Sequence, residues 1–331
     1  MPSRHKPRRG TLQFWPRKRA RRIYPRTSWW PYETQGKEVK PMGFAAWKVG
    51  MTHMHYVDTR KTQTQGKTIS KSITIFDAPS LFVLAVRFYK NSVDASLVVS
   101  EKWAGGTDAK GVQTSIPKEL KKHVEKLKAK NNKETENYDY ITLLVSTQPE
   151  KSGMHKSVPE LLEIAVSGAK EKQKEYGESV LGKELNISDI FKPGEFIDVS
   201  AVTKGHGFTG TVKRFGVRIH SRKEKQMERH VGSIGSVVPR KVDWRVPMPG
   251  QYGFFTRTEF NKRVVMISDD PKKITPKGGF MHYGNVKNFI VVEGSVPGPA
   301  KRLVRLRKAS RPMPAAPIEP LYISTESKQG V

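Results

Sequence analysis

The run Gly205-His206-Gly207-Phe208-Thr209-Gly210-Thr211-Val212 has the spacing of a phosphate cradle, G-x-G-x-x-G, extended by a valine as in kinase loops. A dinucleotide site needs a helix directly after it, so that the helix N-terminus faces the pyrophosphate. The residues that follow, Lys213-Arg214-Phe215-Gly216-Val217-Arg218, show no helical apolar face, and the V-A-I-K, H-R-D and D-F-G signatures of a kinase are absent. The glycines are therefore read as places where backbone comes close to a crowded polyanion. His53 and His55 stand two apart on an expected strand, but no third metal ligand lies near them in sequence. His206, His220 and His230 lie among basic residues without carboxylates to pair with, and cysteine is absent. Disulfides, cysteine–zinc sites and thiol catalysis are excluded, and no Ser/His/Asp set or carboxylate pair can be placed by spacing. The expectation is a non-enzyme with no metal, no cofactor and no small-molecule substrate.

Charge is the informative chemistry. The 331 residues carry a formal net charge of +29. Residues 1–30 hold ten Lys/Arg and no acid, and 204–263 hold fourteen against four. Residues 300–312 hold six against none, whereas 101–185 are nearly balanced, with fifteen lysines and fourteen acids. No arginine occurs between Arg87 and Arg214. Guanidinium is planar, always charged and donates bidentately to phosphate, while lysine also serves as a solubilising point charge. Arginine confined to the ends and to one Gly-rich stretch points to an anionic partner for those segments. The candidate contacts in the first cluster are Arg4, Arg8, Arg9, Trp15, Arg17, Lys18, Arg19, Arg21 and Arg22. Those in the second are Lys204, His206, Lys213, Arg214, Arg218, Arg222, Arg229, Arg240, Lys241, Trp244, Arg245 and Arg257; Arg305 and Arg307 complete the set. Interleaved aromatics such as Phe14, Trp15, Tyr24, Trp29 and Trp30 suit stacking on unpaired bases.

The elements that must carry these residues are mainly β. Six prolines break residues 1–43 into an extension with little core of its own, expected to order on a partner. From Phe44 the chain turns strand-like: Trp47, Val49, Met51, His53, His55 and Val57 share one parity, and Ile73 and Ile75 repeat it. Short runs follow at 81–89, 196–203, 254–260, 264–267, 286–292 and 303–307, which argues for a barrel or a small sandwich. In the last run Val304 and Leu306 would face a core while Arg305 and Arg307 face phosphate. The near-neutral block reads as an α/β insertion. It has an amphipathic helix over 117–130 (Leu120, Val124, Leu127) and a strand over 138–147. A second helix opens on the Ser157/Glu160 capping pattern, runs through Leu161 to Ala169 and stops at Gly177. The division is thus a basic N-terminal extension at 1–43, a discontinuous β-barrel body at 44–90 and 190–307, an insertion at 91–189 and a tail at 308–331. A basic Gly-rich central extension occupies 204–257 with too few aliphatics for a core, far beyond an ordinary loop in length. Trp244 within it is either an aromatic inserted at a loop tip or a tryptophan of the strand core. The longest apolar run, Leu81 to Val86, is too short to span a membrane, and no signal peptide is readable. The expectation is a soluble intracellular chain with no membrane partner.

Several motifs in order resemble one family. They are Phe14-Trp15-Pro16-Arg17-Lys18-Arg19-Ala20, Trp47-Lys48-Val49-Gly50-Met51-Thr52, Val202 to Gly210, Gly232-Ser233-Ile234-Gly235, Pro247 to Gly253, and Lys277-Gly278-Gly279-Phe280-Met281-His282-Tyr283-Gly284. Together they resemble the L-three family of universal large-subunit ribosomal proteins, in its archaeal and eukaryotic branch. The resemblance implies a barrel body on the subunit surface, an α/β insertion, and N-terminal and central extensions that penetrate large-subunit rRNA. The central extension would reach toward the peptidyl transferase centre with Trp244 as its aromatic tip. Neighbouring large-subunit proteins would be partners, and the protein would act in the cytoplasm in early subunit assembly, with the tip influencing tRNA accommodation and elongation-factor binding. Relatives carry a modifiable His or Gln near the proline matching Pro239; here Val237 and Val238 stand there, so no such methylation is expected. An abundant basic nucleic-acid-packaging protein is the alternative, but it would need neither the neutral insertion nor a single long Gly-rich loop.

Overall fold

A computed structural model describes residues 9–27, 29–31, 39–59, 63–104, 137–224, 227–238, 240–311, 313–315 and 317–327. Its elements run β1 (Gly43–Val57), β2 (Thr68–Asp77), β3 (Leu81–Asn91), β4 (Ser96–Trp103), β5 (Tyr140–Ser146) and β6 (Leu161–Ala165). They continue with α1 (Lys170–Val180), β7 (Glu184–Leu185), β8 (Phe196–Val202), β9 (Gly205–Thr209), α2 (Thr211–Phe215) and β10 (Gly250–Gly253). Last come β11 (Thr256–Ser268), β12 (Phe289–Glu293), β13 (Leu303–Lys308) and β14 (Pro320–Ile323). The chain divides into two compact units, residues 1–23 with 202–257, and residues 24–201 with 258–331.

The larger unit holds two sheets. In the first, the strand order is β13-β8-β11-β12-β2-β1-β14, and β13 also pairs with β1, from Gly43 opposite Arg307 to Trp47 opposite Leu303. Six strands thereby pair in a circuit that returns on itself, and β14 joins the far half of β1. Residues Gly43 to Val49 are buried throughout, as strands covered on both faces are. A register shift against β2 between Lys48 and Gly50 then changes which residues face inward. Beyond it Met54 and Tyr56 are buried, while Met51 and Val57 are exposed and His53 and His55 only partly covered. The single parity expected from Trp47 to Val57 is therefore wrong in its second half, because an extra residue in one strand flips every later side chain to the other face. Lys48 is buried at this irregularity, its ammonium donating to the carbonyls of Val296 (2.6 Å) and Gly298 (3.1 Å). The runs 254–260 and 264–267 merge into one strand, β11.

The second sheet has the order β4-β3-β5-β6, with β7 beside β3. The helix expected from Leu161 is instead strand β6, in which Leu162 and Ile164 stand opposite Val145 and Leu143 of β5. The segment is as compatible with period two as with helical spacing, and a long-range partner strand decides between them. Glu160 does not cap a helix: its backbone N–H donates to the Thr147 hydroxyl at 2.9 Å and its carboxylate pairs with Lys156. The helix comes later, as α1, and Gly177 sits inside it rather than ending it. A Cβ there would lie 3.3 Å from Val86 and 4.0 Å from Ile141, so glycine lets α1 settle against the sheet. The helix expected over 117–130 lies outside the described residues.

The core of this unit reaches into the segment assigned above to an extension. Trp30 is 8% exposed and joins the main apolar cluster, with Gly43 leaving room for its ring, and Pro41 bridges to Val166. Arg305 is 6% exposed, its guanidinium 5.6 Å from the Trp30 ring centroid and donating to the Glu163 carbonyl. Burial pulls it down to about 10. The β13 face expected to meet phosphate is thus closed at Arg305. Replacing Trp30 by Ala should cost about 3–5 kcal/mol of stability, as for a large aromatic removed from a core. Trp29, 54% exposed, should cost less than about 1 kcal/mol on the same denaturation measurement.

Asp77 ends β2 at 1% exposure and accepts a 2.8 Å hydrogen bond from the Tyr283 hydroxyl. Gly153 and Gly284 bring two backbones together beside it, since a Cβ on Gly284 would fall 2.4 Å from the Gly153 carbonyl oxygen. Burial raises the Asp77 carboxyl to about 6, against the partial opposition of the Tyr283 bond. A raised carboxyl keeps its proton in the folded chain after the unfolded one has lost it, so its contribution is complete at acid pH and disappears as pH rises through about 6. Relative to Asp77→Asn, the wild type should therefore lose about 2 kcal/mol between pH 4 and pH 7, read from urea unfolding at each pH.

Candidate nucleic-acid interface

The smaller unit is built on few regular elements. Strands β9 and β10 pair antiparallel, with Gly250 opposite Thr209 and Gln251 opposite Phe208. Gly253, at φ +71°, passes so close to Lys204 that a Cβ would fall 2.1 Å from its carbonyl oxygen. A helix does follow the glycine motif, contrary to the sequence reading, but it is the five-residue α2. Buried Thr211 and Phe215 anchor it, and Gly216 at φ +67° ends it with its N–H on the Val212 carbonyl. The strand before it has an antiparallel partner and, among the described residues, no parallel sheet that would make a dinucleotide crevice.

Aromatic rings and guanidinium groups supply the packing that aliphatic residues do not. Trp15 stacks on Phe215 at 6.3 Å and meets Trp244 edge-on at 5.2 Å. Arg17 lies over Phe215 at 4.2 Å and donates to the Arg214 carbonyl at 3.1 Å. Arg257 lies over Phe14 at 4.3 Å and Phe255 at 4.9 Å, and the Ala20 N–H donates to the Phe254 carbonyl at 2.9 Å. The N-terminal segment and the central Gly-rich segment thus fold against each other. Such cation–π contacts carry about 0.5–2 kcal/mol each, more as water is excluded. Arg214 and Arg257 are held below the usual arginine range, first by burial and then by the charge of Arg17.

The candidate contacts sort by exposure. Arg9, Lys18, Arg19, Arg21, Arg22, Lys204, His206, Lys213, Arg218, Arg222, Arg229, Arg240, Lys241, Trp244 and Arg245 are exposed. Trp15, Arg17, Arg214, Arg257 and Arg307 are partly buried, and Arg305 is buried. Arg4 and Arg8 lie outside the described residues. Arg307 is engaged inside the larger unit, pairing with buried Asp198 at 2.8 Å and donating to the Trp29 carbonyl at 2.6 Å. Trp244 is 56% exposed and borders an open cleft of about 810 Å³ with Ile234, Val242, Arg240 and Lys241. The most exposed apolar residues of the segment are not Trp244 but Val237 and Val238, each 79% exposed, and Phe208 at 78%. Sequence reasoning passed over Phe208 because it was absorbed in the glycine motif, and Tyr252 because nothing in its spacing announces the 5.1 Å stack on His206. The exposed candidate residues of the smaller unit are cationic, interspersed with exposed rings and poor in acid. Those features suit phosphate and unstacked bases.

The chain is similar to known proteins over nearly its whole length. The ribosomal protein L3 family matches residues 1–330. The large ribosomal subunit protein uL3 of Methanopyrus kandleri is 43% identical over 341 residues, covering 98% of this chain and 92% of its own. That of Methanocaldococcus jannaschii is 44% identical over 98% of both chains, and that of Archaeoglobus fulgidus 42% identical over 98% of this chain and 99% of its own. With the whole length matched and similarity near this level in several archaea, the chain belongs to the ribosomal protein L3 family.

Proposed function

We propose that this chain is a structural component of the large ribosomal subunit in the cytoplasm that binds large-subunit rRNA through its N-terminal and central segments. The observation that carries the reading is the charge of the smaller unit: residues 1–23 and 202–257 hold twenty-one Lys/Arg against three acids. Most of the described cations there are exposed, which leaves them accessible to an external anion. Phosphate is the matching anion for arginine, and the exposed Phe208 and Trp244 rings add stacking surfaces for unpaired bases. The relatives named above are large ribosomal subunit proteins, which supports the same reading.

On this reading the six-strand circuit is the barrel body, the second sheet with α1 carries the α/β insertion that meets neighbouring proteins, joined by β3 from the segment 44–90 assigned to the body, and the smaller unit combines the two extensions. Its contacts support early assembly and the reach toward the peptidyl transferase centre. Affinity comes mainly from counterion release and specificity from folded RNA shape. The full chain, titrated with large-subunit rRNA, should lose affinity steeply with salt, each phosphate contact adding about 0.7–0.9 to the slope of log K against log salt. At physiological salt random duplex DNA should bind far more weakly; equal affinities would mean generic packaging of nucleic acid instead.

A further inference from the structure

Lys213 and Arg214 are neighbours on α2 with the same formal charge and different surroundings. Lys213 is exposed. Arg214 is partly buried, and its guanidinium is already engaged by the chain: Nε donates to the Gln251 carbonyl at 3.0 Å and Nη1 to the Met248 carbonyl at 2.7 Å. The group also lies 5.0 Å from the Phe215 ring centroid, sharing that ring with Arg17. Gly250 faces it without a side chain; a Cβ there would stand 3.2 Å from the guanidinium carbon. The Arg214 main chain contributes as well, because its carbonyl accepts from Arg17. One residue therefore ties together α2, the approach to β10 and the N-terminal segment.

Resting on the RNA-binding reading, we infer that Arg214 is a positioning residue: it fixes the shape of the RNA-binding surface through Met248, Gln251 and Phe215, while exposed cations such as Lys213 and Arg218 meet phosphate. The two roles have different physical signatures. A phosphate contact releases counterions, so losing it lowers the salt slope; a brace releases none, so losing it weakens binding equally at every salt concentration. The roles also differ in what lysine can replace. Lysine keeps the charge, but its compact ammonium lacks the rigid planar fork that reaches two carbonyls and lies flat on a ring.

The test is a titration of the full-length chain and its variants with large-subunit rRNA at a series of KCl concentrations, with a thermal melt of each protein. Arg214→Lys should bind about tenfold more weakly at every salt concentration, with the wild-type slope and with the main melting transition in place. Lys213→Ala should lower the slope by about 0.7–0.9. Gly250→Ala, which changes no charge, pushes a methyl group at the guanidinium and strains the backbone at φ +158°, should also weaken binding with the wild-type slope and serves as the second route should Arg214→Lys fold poorly. Arg214→Lys binding like the wild type, together with Arg214→Ala lowering the slope as Lys213→Ala does, would overturn the brace and make Arg214 a phosphate contact. A wild type whose binding ignores salt would overturn the RNA reading itself, and the brace with it.

Discussion

Everything in this structure turns on how a cation can be taken out of water. A guanidinium loses several kcal/mol of hydration on burial unless carboxylates or carbonyls replace it. The larger unit has the acids to do so. Arg307 pairs with Asp198 at 2.8 Å, Arg263 reaches Glu293 at 2.7 Å, and Arg87 lies 2.7 Å from Glu101. Arg305 and Lys48 donate to main-chain carbonyls. The smaller unit has three acids for twenty-one Lys/Arg. Among its described arginines, Arg17, Arg214 and Arg257 lie over aromatic rings, while Arg9, Arg19, Arg218 and Arg222 are exposed.

Glycine and aromatic residues make that second arrangement foldable. A segment with few aliphatics cannot draw on area burial at about 25 cal/mol/Å². Buried Phe215 and Phe255, with half-buried Trp15 stacked on Phe215, give it a small packed centre, and glycines at Gly216 and Gly253 permit the turns and close approaches around it. The same economy recurs beside Asp77, where Gly153 and Gly284 let two backbones touch and Tyr283 closes over the carboxyl. The Gly-Gly-Phe-Met-His-Tyr-Gly motif therefore has a packing role within the larger unit, whatever else it contacts.

The mainly β character was legible because short apolar runs between Gly and Pro carry it, and β3, β5, β8, β12 and β13 fall close to where those runs stand. Local pattern failed where distant residues decide. Strand β6 was read as a helix because Val145 and Leu143, its partners, lie elsewhere in the chain. The parity of β1 was misread past Lys48 because a register shift leaves no mark in the sequence. The cationic segments were legible from composition alone. What composition could not separate was a cation that faces water from one that holds the fold: Arg214 answers to carbonyls more than thirty residues away, and Arg305 to Glu163 and Trp30. That distinction appears only in the folded chain.

A near-atomic density map of the assembled large subunit containing this protein tests the central claim most directly. The account predicts Lys213, Arg218, Arg222 and Arg19 with their charged ends at hydrogen-bonding distance from rRNA phosphates, and Arg305 enclosed by protein. Finding those four side chains in open solvent, with no nucleotide beside either segment, would contradict it.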